Sequence, residues 1–268
     1  MTDPVRALLD EWGDDVGLAL VRRDSVRRWG VTDHVRPLAS VTKPIVALAC
    51  WVALEEGSLA LDQPAGPPGA TVEHLLCHAS GLPFEGSEPI AAPGARRIYS
   101  NSGFELLTDH LSSAVGATWQ DYVDEAVLLP LGMASTTLGP SSARDAASSV
   151  DDLVHLAQEL LAPRLVHGST FEAAITNRLG DLDGVVPGFG QQRPCPWGLG
   201  VELKGAKRPH WTPTGASLRT FGHFGAAGTF LWVDPDRRLA AVAVGTRPFG
   251  PWAVDLWPVL GDRLLDLA

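Results

Sequence analysis

Leu38-Ala39-Ser40-Val41-Thr42-Lys43-Pro44-Ile45-Val46-Ala47-Leu48-Ala49 is the stretch around which the chain is organised. Proline is tolerated only in the first turn of a helix. Pro44 therefore requires a helix that starts close to Ser40 and runs as an apolar segment to Glu55-Glu56-Gly57. Residues three apart share a helix face, which brings the Lys43 amine within reach of the Ser40 hydroxyl. The helix N-terminus adds free N–H groups and partial positive charge. A serine there loses its proton more easily beside a lysine whose pKa is lowered by that positive end and by burial. An N-cap serine followed by a solvated lysine fits the same letters, so the motif alone leaves both readings open.

Outward from this helix, Val16 to Val21 and Val26 to Val31 read as a strand hairpin that delivers the chain to Ser40. Pro4 to Trp12 reads as a short helix ahead of it. Downstream the pattern is helical: Thr71 to His78, Ser102 to about Val115, Thr118 to Leu128, Ser149 to Leu161 and Ser169 to Leu179. Asp62 to Gly69 and Gly180 to Pro196 read as loops. From Trp197 the pattern switches to strands at Gly198–Leu203, Thr220–Phe224, Gly228–Val233 and Leu239–Gly245, closed by a helix from Trp252. Strands at both ends with helices between them predict an α/β (α+β) fold. One antiparallel sheet of N- and C-terminal strands is flanked by helices and interrupted by a mostly helical lobe. The expected division is 1–61 plus 197–268 for the sheet lobe and 62–196 for the helical lobe.

A chain of 268 residues, 45% hydrophobic and 19% charged, buries a sizeable core and is not disordered. A net charge of −10 argues against nucleic acid and anionic membrane surfaces as partners. Cys50, Cys77 and Cys195 form no even framework, which fits a reducing compartment. Met1-Thr2-Asp3-Pro4-Val5-Arg6 lacks the basic and apolar regions of a secretory leader, and no apolar run reaches membrane-spanning length. The expectation is a cytoplasmic protein.

Two further stretches carry chemistry. In Tyr99-Ser100-Asn101 a tyrosine acts as acid or base if cationic neighbours lower its pKa, and Asn101 can donate to a substrate carbonyl. Ser102 and Glu105 have the spacing of a capping box for the helix that follows. Packing for Tyr99 and a cap for Asn101 are the plain alternatives. In Gly222-His223-Phe224-Gly225-Ala226-Ala227-Gly228 the glycines mark a close approach of backbone or ligand, with N–H groups free to face an oxyanion. A tight turn with a buried histidine is the plain alternative.

Ser-x-x-Lys, Tyr-x-Asn and His-x-Gly, in this order on a helix, a loop and a strand, resemble the serine β-lactamase and penicillin-binding-protein superfamily. The likeness is closest to the class C β-lactamase and family VIII carboxylesterase branch. The segment Thr71 to Pro83 is similar to that branch's TxxHLLxHxSGLP, and Gly228 to Pro235 falls where the family has its own. The resemblance implies Ser40 as nucleophile, Lys43 as its proton acceptor or electrostatic partner, and Tyr99 as the group serving leaving group and deacylating water. It also implies Asn101 as a contact for the acyl portion and the N–H groups of Ser40 and Ala226, after Gly225, as the oxyanion hole. His223 stands where β-lactamases and many DD-peptidases carry a lysine that attracts the substrate carboxylate. A mostly neutral histidine supplies less charge, so weak β-lactam hydrolysis is expected. The short Ser40-to-Tyr99 interval implies trimmed loops and a more open site.

Other signals are weaker. His74 and His78 have the spacing of a zinc helix but lack the glutamate of His-Glu-x-x-His. Cys50 and Cys77 sit in apolar surroundings as fillers. The nine tryptophans pack or line a groove. The reading is a two-lobed serine hydrolase without cofactor or metal, working through an acyl-enzyme at Ser40 on small esters or amides. DD-peptidase, β-lactamase and transacylase activities are the alternatives within the class. A catalytically silent binding protein is the alternative outside it. A small-molecule acyl substrate is the expected partner.

Overall fold

The computed structural model describes residues 3–267. Met1 and Thr2, part of the stretch read for a leader, and Ala268 lie outside the described residues. Six strands form one antiparallel sheet in the order Val26–Gly30, Val16–Val21, Leu239–Gly245, Thr229–Asp234, Phe221–Gly225 and Glu202–Leu203. The N-terminal strand pairs directly with a C-terminal one, Val16 opposite Gly245 and Val21 opposite Ala240. This is the sheet expected from the sequence.

Side chains alternate across a strand, and the three central strands are buried along their whole length. Leu18, Leu20, Phe230, Trp232, Ala241 and Ala243 therefore face one layer, where Trp12 and Trp257 cover them. Trp12 belongs to the helix Pro4–Trp12 and Trp257 to the helix Pro251–Asp266. Ala19, Val21, Leu231, Val233, Val242 and Val244 face the other layer with Ile45, Trp51, Leu107 and Leu153. The helix Thr42–Glu55 lies in this second layer, and 11 of its 14 residues are buried. A helix apolar all round is a core helix, so the element that follows Ser40 is anchored on nearly every side.

Several boundaries differ from the sequence reading. The apolar helix begins at Thr42, after a 3-10 turn over Ala39–Val41, and no side chain caps it. The helix Asn101–Val115 is capped by Ser100, whose Oγ accepts from Gly103 N at 2.9 Å. The capping box from Ser102 and Glu105 does not form, because Ser102 accepts from Gly86 and Glu105 turns to Ser141 and Ser142. The expected helix 118–128 is α-helical over Trp119–Val123 and continues through a π turn, Asp124–Leu128. The expected helix 169–179 ends at Ala174, after a cap from His167.

The segment 180–196 is not all loop. It holds a hairpin, Gly184–Val186 with Gly190–Gln192. The strand expected from Gly198 shrinks to Glu202–Leu203, since Gly200 is left-handed (φ 84°) and gives its N–H to Leu76. A small sheet of Arg36–Pro37, Ala146–Ser148 and Thr137–Leu138 had no counterpart in the reading. Among the described residues, no helix is long and apolar enough to cross a membrane.

Sheet and helices meet at the turn before Ser40. Thr229 Oγ1 donates to the Leu38 carbonyl at 2.7 Å, and Leu38 N donates to Ala146 O at 2.8 Å. Thr42 Oγ1 donates to Ala39 O at 2.7 Å and accepts from Ala146 N at 3.0 Å. Gly225 passes so close that a Cβ on it would collide with the Leu38 carbonyl and the Thr229 hydroxyl and stand 3.1 Å from Ser40 N. Backbone cannot yield cheaply there. Gly225→Ala is expected to cost about 1–3 kcal/mol of stability, the range for overpacking, measured by urea denaturation. An unchanged midpoint would contradict this packing.

Candidate active site

Ser40 is half-buried in the 3-10 turn, directly after Ala39, which holds a left-handed φ of 47°. A non-glycine residue there stores strain of about 1–3 kcal/mol that the surrounding bonds must hold. Lys43 lies one helical turn on and is fully buried, with Nζ 3.5 Å from Ser40 Oγ. Its Nζ donates at 2.8 Å to Asn101 Oδ1 and at 2.8 Å to the Ala143 carbonyl. Burial drives its pKa well below the ordinary 10.5, against the opposing pull of Glu105 and Glu85. The amine is therefore held toward its neutral form, which has two hydrogens. Asn101 and Ala143 accept both, so the remaining direction, toward Ser40, carries the lone pair.

Tyr99 is clamped from both sides by His78, whose carbonyl accepts from Ile98 N at 2.8 Å and whose Nδ1 accepts from Ser100 N at 3.1 Å. The two rings are 4.5 Å apart, and His78 itself is left-handed (φ 54°). The Lys43 amine lies 4.7 Å from the Tyr99 ring centre. The Tyr99 hydroxyl is buried without a hydrogen-bond partner. Burial pushes its pKa above the ordinary 10.0, with the nearby Ser40 hydroxyl working the other way. The sequence reading made the acid–base role of Tyr99 conditional on cationic neighbours lowering that pKa. The correction is physical: burial of the phenol itself outweighs the help from Ser40, which holds Tyr99 toward its protonated form.

Asn101 is the first residue of its helix and not the cap. Its amide is engaged at both ends, Oδ1 by Lys43 and Nδ2 by Glu85 Oε1 at 2.9 Å. It faces the base rather than standing free for a substrate carbonyl. His223 Nδ1 lies 2.7 Å from the Phe224 carbonyl, which can only accept, so Nδ1 carries the hydrogen. Burial lowers the His223 pKa to about 3. Its Nε2 is thus a bare acceptor, buried and unpartnered.

A cavity of about 140 Å³ brings Ser40, Tyr99, His223 and Ala226 together with Trp197 and Phe249. Its remaining wall includes Val185, Val186 and Pro187, so the hairpin in 180–196 closes part of a site expected to be open. A larger cleft of about 420 Å³ shares Phe84, Tyr99, Val185 and Pro187 with it. Glu202 also lines the small cavity. Lys207 Nζ at 2.6 Å, His210 Nε2 at 3.1 Å and Trp211 Nε1 at 2.8 Å surround its carboxylate. Burial works to raise the Glu202 pKa, and Lys207 and His210 outweigh it, holding the group well below the usual carboxylate range.

A family model described as Beta-lactamase matches residues 10–262. The chain belongs to the beta-lactamase family. It is 45% identical to a beta-lactamase from Mycobacterium bovis, whose crystal structure superposes with a TM-score of 0.96 over 98% of both chains. It is 29% identical over 201 residues to the D-alanyl-D-alanine-carboxypeptidase/endopeptidase AmpH of Escherichia coli (strain K12), covering 53% of this chain and 52% of AmpH. Against the esterase EstB of Burkholderia gladioli it is 27% identical, over 74% of this chain and 56% of EstB. The chain thus spans about half the length of these two curated relatives.

Sequence reasoning missed Glu85, Ala143, Arg144 and the Glu202 group, because each acts through contacts across long sequence separations. His78 stood within the quoted segment, with nothing to mark its clamp on Tyr99. His74 and His78 share no helix face, since the helix Val72–Leu76 ends before His78. Among the described residues, no group of three or more His, Cys, Asp or Glu side chains could hold a metal. Cys50 and Cys77 are buried, their thiols pushed up to about 12.

These ionisations set a pH dependence. Turnover that needs neutral Lys43 rises as pH climbs through a pKa well below 10.5. Turnover that needs protonated Tyr99 does not fall at pH 10, because that pKa is raised. A kcat/KM profile with its acid limb near 10.5, or falling at 10, would contradict the assignment.

Proposed function

We propose that the chain is a serine hydrolase acting through an acyl-enzyme at Ser40 on small, uncharged esters, with amides as the lesser class. The observation that carries this reading is the fully buried Lys43 amine, with Nζ 2.8 Å from both Asn101 Oδ1 and the Ala143 carbonyl and 3.5 Å from Ser40 Oγ. In its neutral form those two acceptors take both hydrogens and leave the lone pair for Ser40. Lys43 takes the Ser40 proton as Oγ attacks the carbonyl carbon. The N–H groups of Ser40 and Ala226 receive the oxyanion, in keeping with the close passage of Gly225 beside Ser40 N. The proton returns through the Tyr99 hydroxyl to the leaving oxygen. Water, activated by the same two groups, then attacks the acyl carbon and releases Ser40.

The substrate class follows from what lines the cavity. His223 presents no positive charge, so a carboxylate gains little there. Trp197, Phe249, Val185 and Val186 favour an apolar acyl group. The name of EstB fits this reading better than the peptidase name of AmpH. A cytoplasmic setting fits three free, buried cysteines.

With p-nitrophenyl butyrate, Ser40→Ala is expected to abolish turnover. Lys43→Ala and Tyr99→Phe are each expected to lower kcat on the order of 10²–10⁴. Turnover by Ser40→Ala equal to wild type would refute the nucleophile. His223→Lys is expected to raise kcat/KM for a carboxylate-bearing β-lactam such as nitrocefin relative to the neutral ester. An unchanged ratio would remove His223 as the discriminating group.

A further inference from the structure

We propose that Glu85 is a positioning residue: it fixes the Asn101 amide so that Lys43 presents its lone pair to Ser40. This rests on the hydrolase reading above. Asn101 has two ends of equal size and opposite hydrogen-bond character. With its oxygen toward Lys43 it accepts an amine hydrogen. Turned over, it would donate an N–H to the amine, capture the lone pair and leave Ser40 facing an N–H instead. Nothing in the amide itself chooses between the two.

Glu85 chooses. A carboxylate only accepts, and Glu85 Oε1 lies 2.9 Å from Asn101 Nδ2, so the NH₂ end is pinned there and the oxygen is left for Lys43 at 2.8 Å. The carboxylate is itself placed by Arg144, whose Nη1 donates to the same Oε1 at 2.6 Å. Arg144 follows Ala143, whose carbonyl takes the other Lys43 hydrogen. One short turn, 141–144, therefore serves both amine hydrogens, one directly and one through Glu85 and Asn101. Glu105 holds this turn through the Ser141 hydroxyl and through Ser142 Oγ at 3.2 Å. The result is a chain from a half-exposed ion pair to the nucleophile: Arg144, Glu85, Asn101, Lys43, Ser40.

Stopped-flow labelling of Ser40 by a fluorophosphonate and steady-state hydrolysis of p-nitrophenyl butyrate, across pH, test this role in the intact chain. Glu85→Ala is expected to lower the labelling rate and kcat by about tenfold or more, the worth of one charge-assisted hydrogen bond, with KM little changed. In an Asn101→Ala background the same change is expected to cost nothing further, because the group it orients is gone. The acid limb is expected to move to lower pH, since the Glu85 charge raises the Lys43 pKa. That shift reports the loss of the Glu85 charge near Lys43, while the dependence on Asn101 is the readout that a merely structural role would not give. Glu85→Gln keeps an acceptor oxygen and is expected to lose less rate than Glu85→Ala while showing the same limb shift. Wild-type labelling at Ser40 with an unaltered rate in Glu85→Ala, an equal loss in the Asn101→Ala background, or an unmoved limb would each overturn the proposal. Absence of any labelling of wild-type Ser40 would instead fail the hydrolase reading on which it rests.

Discussion

The site depends on the complete burial of one amine. Lysine is almost never fully buried unless paired, and Lys43 has no carboxylate in contact. Its partners are two neutral oxygens, one from a side-chain amide and one from the main chain. A lone ammonium in such a place is expensive to desolvate, and burial drives its pKa well below the ordinary 10.5, toward the neutral amine. What would be a liability elsewhere in a core becomes a base beside a hydroxyl. The carboxylates of Glu105 and Glu85 moderate the effect from a distance.

Holding that geometry requires rigid elements on every side. The helix carrying Lys43 is buried almost all round, so its register relative to the sheet is fixed. The turn before it is held in a strained left-handed conformation at Ala39 by bonds from the large sheet at Thr229 and from the short strand at Ala146. Gly225 lets the sheet edge lie against Ser40 N, which side chains of any size would prevent. The apolar cores on the two faces of the sheet are thus prerequisites for the chemistry: they clamp the strands that clamp the turn. The Glu202 group supplies a second buried charge system at the cavity wall. Here, unlike at Lys43, opposite charges are in contact and the carboxylate keeps its charge.

The sheet was legible because its strands are long, alternate or run apolar, and are bounded by turn residues such as Asp234 to Arg237. Ser40, Lys43, Tyr99 and His223 were legible because each sits in a short motif. The short hairpin in 180–196 was not, since three-residue strands around Pro187-Gly188 have no period to read. The capping-box spacing at Ser102 and Glu105 misled, because tertiary partners at Gly86, Ser141 and Ser142 outbid the local bond. Ionisation was illegible in principle: whether Lys43 lowers the Tyr99 pKa depends on how deeply the amine is buried, and burial is a property of the whole fold. Glu85 and Arg144 carried no signal, being ordinary surface residues until the chain folds around Asn101.

The most direct measurement is an NMR titration of the lysine side chains in the resting protein, with Lys43 assigned by its loss in Lys43→Met. The account predicts Lys43 Nζ and Cε signals in the neutral-amine position at a pH where free lysine is still charged, with their midpoint well below 10.5. A Lys43 signal that titrates at the ordinary lysine value would contradict it, and would leave the serine without its base.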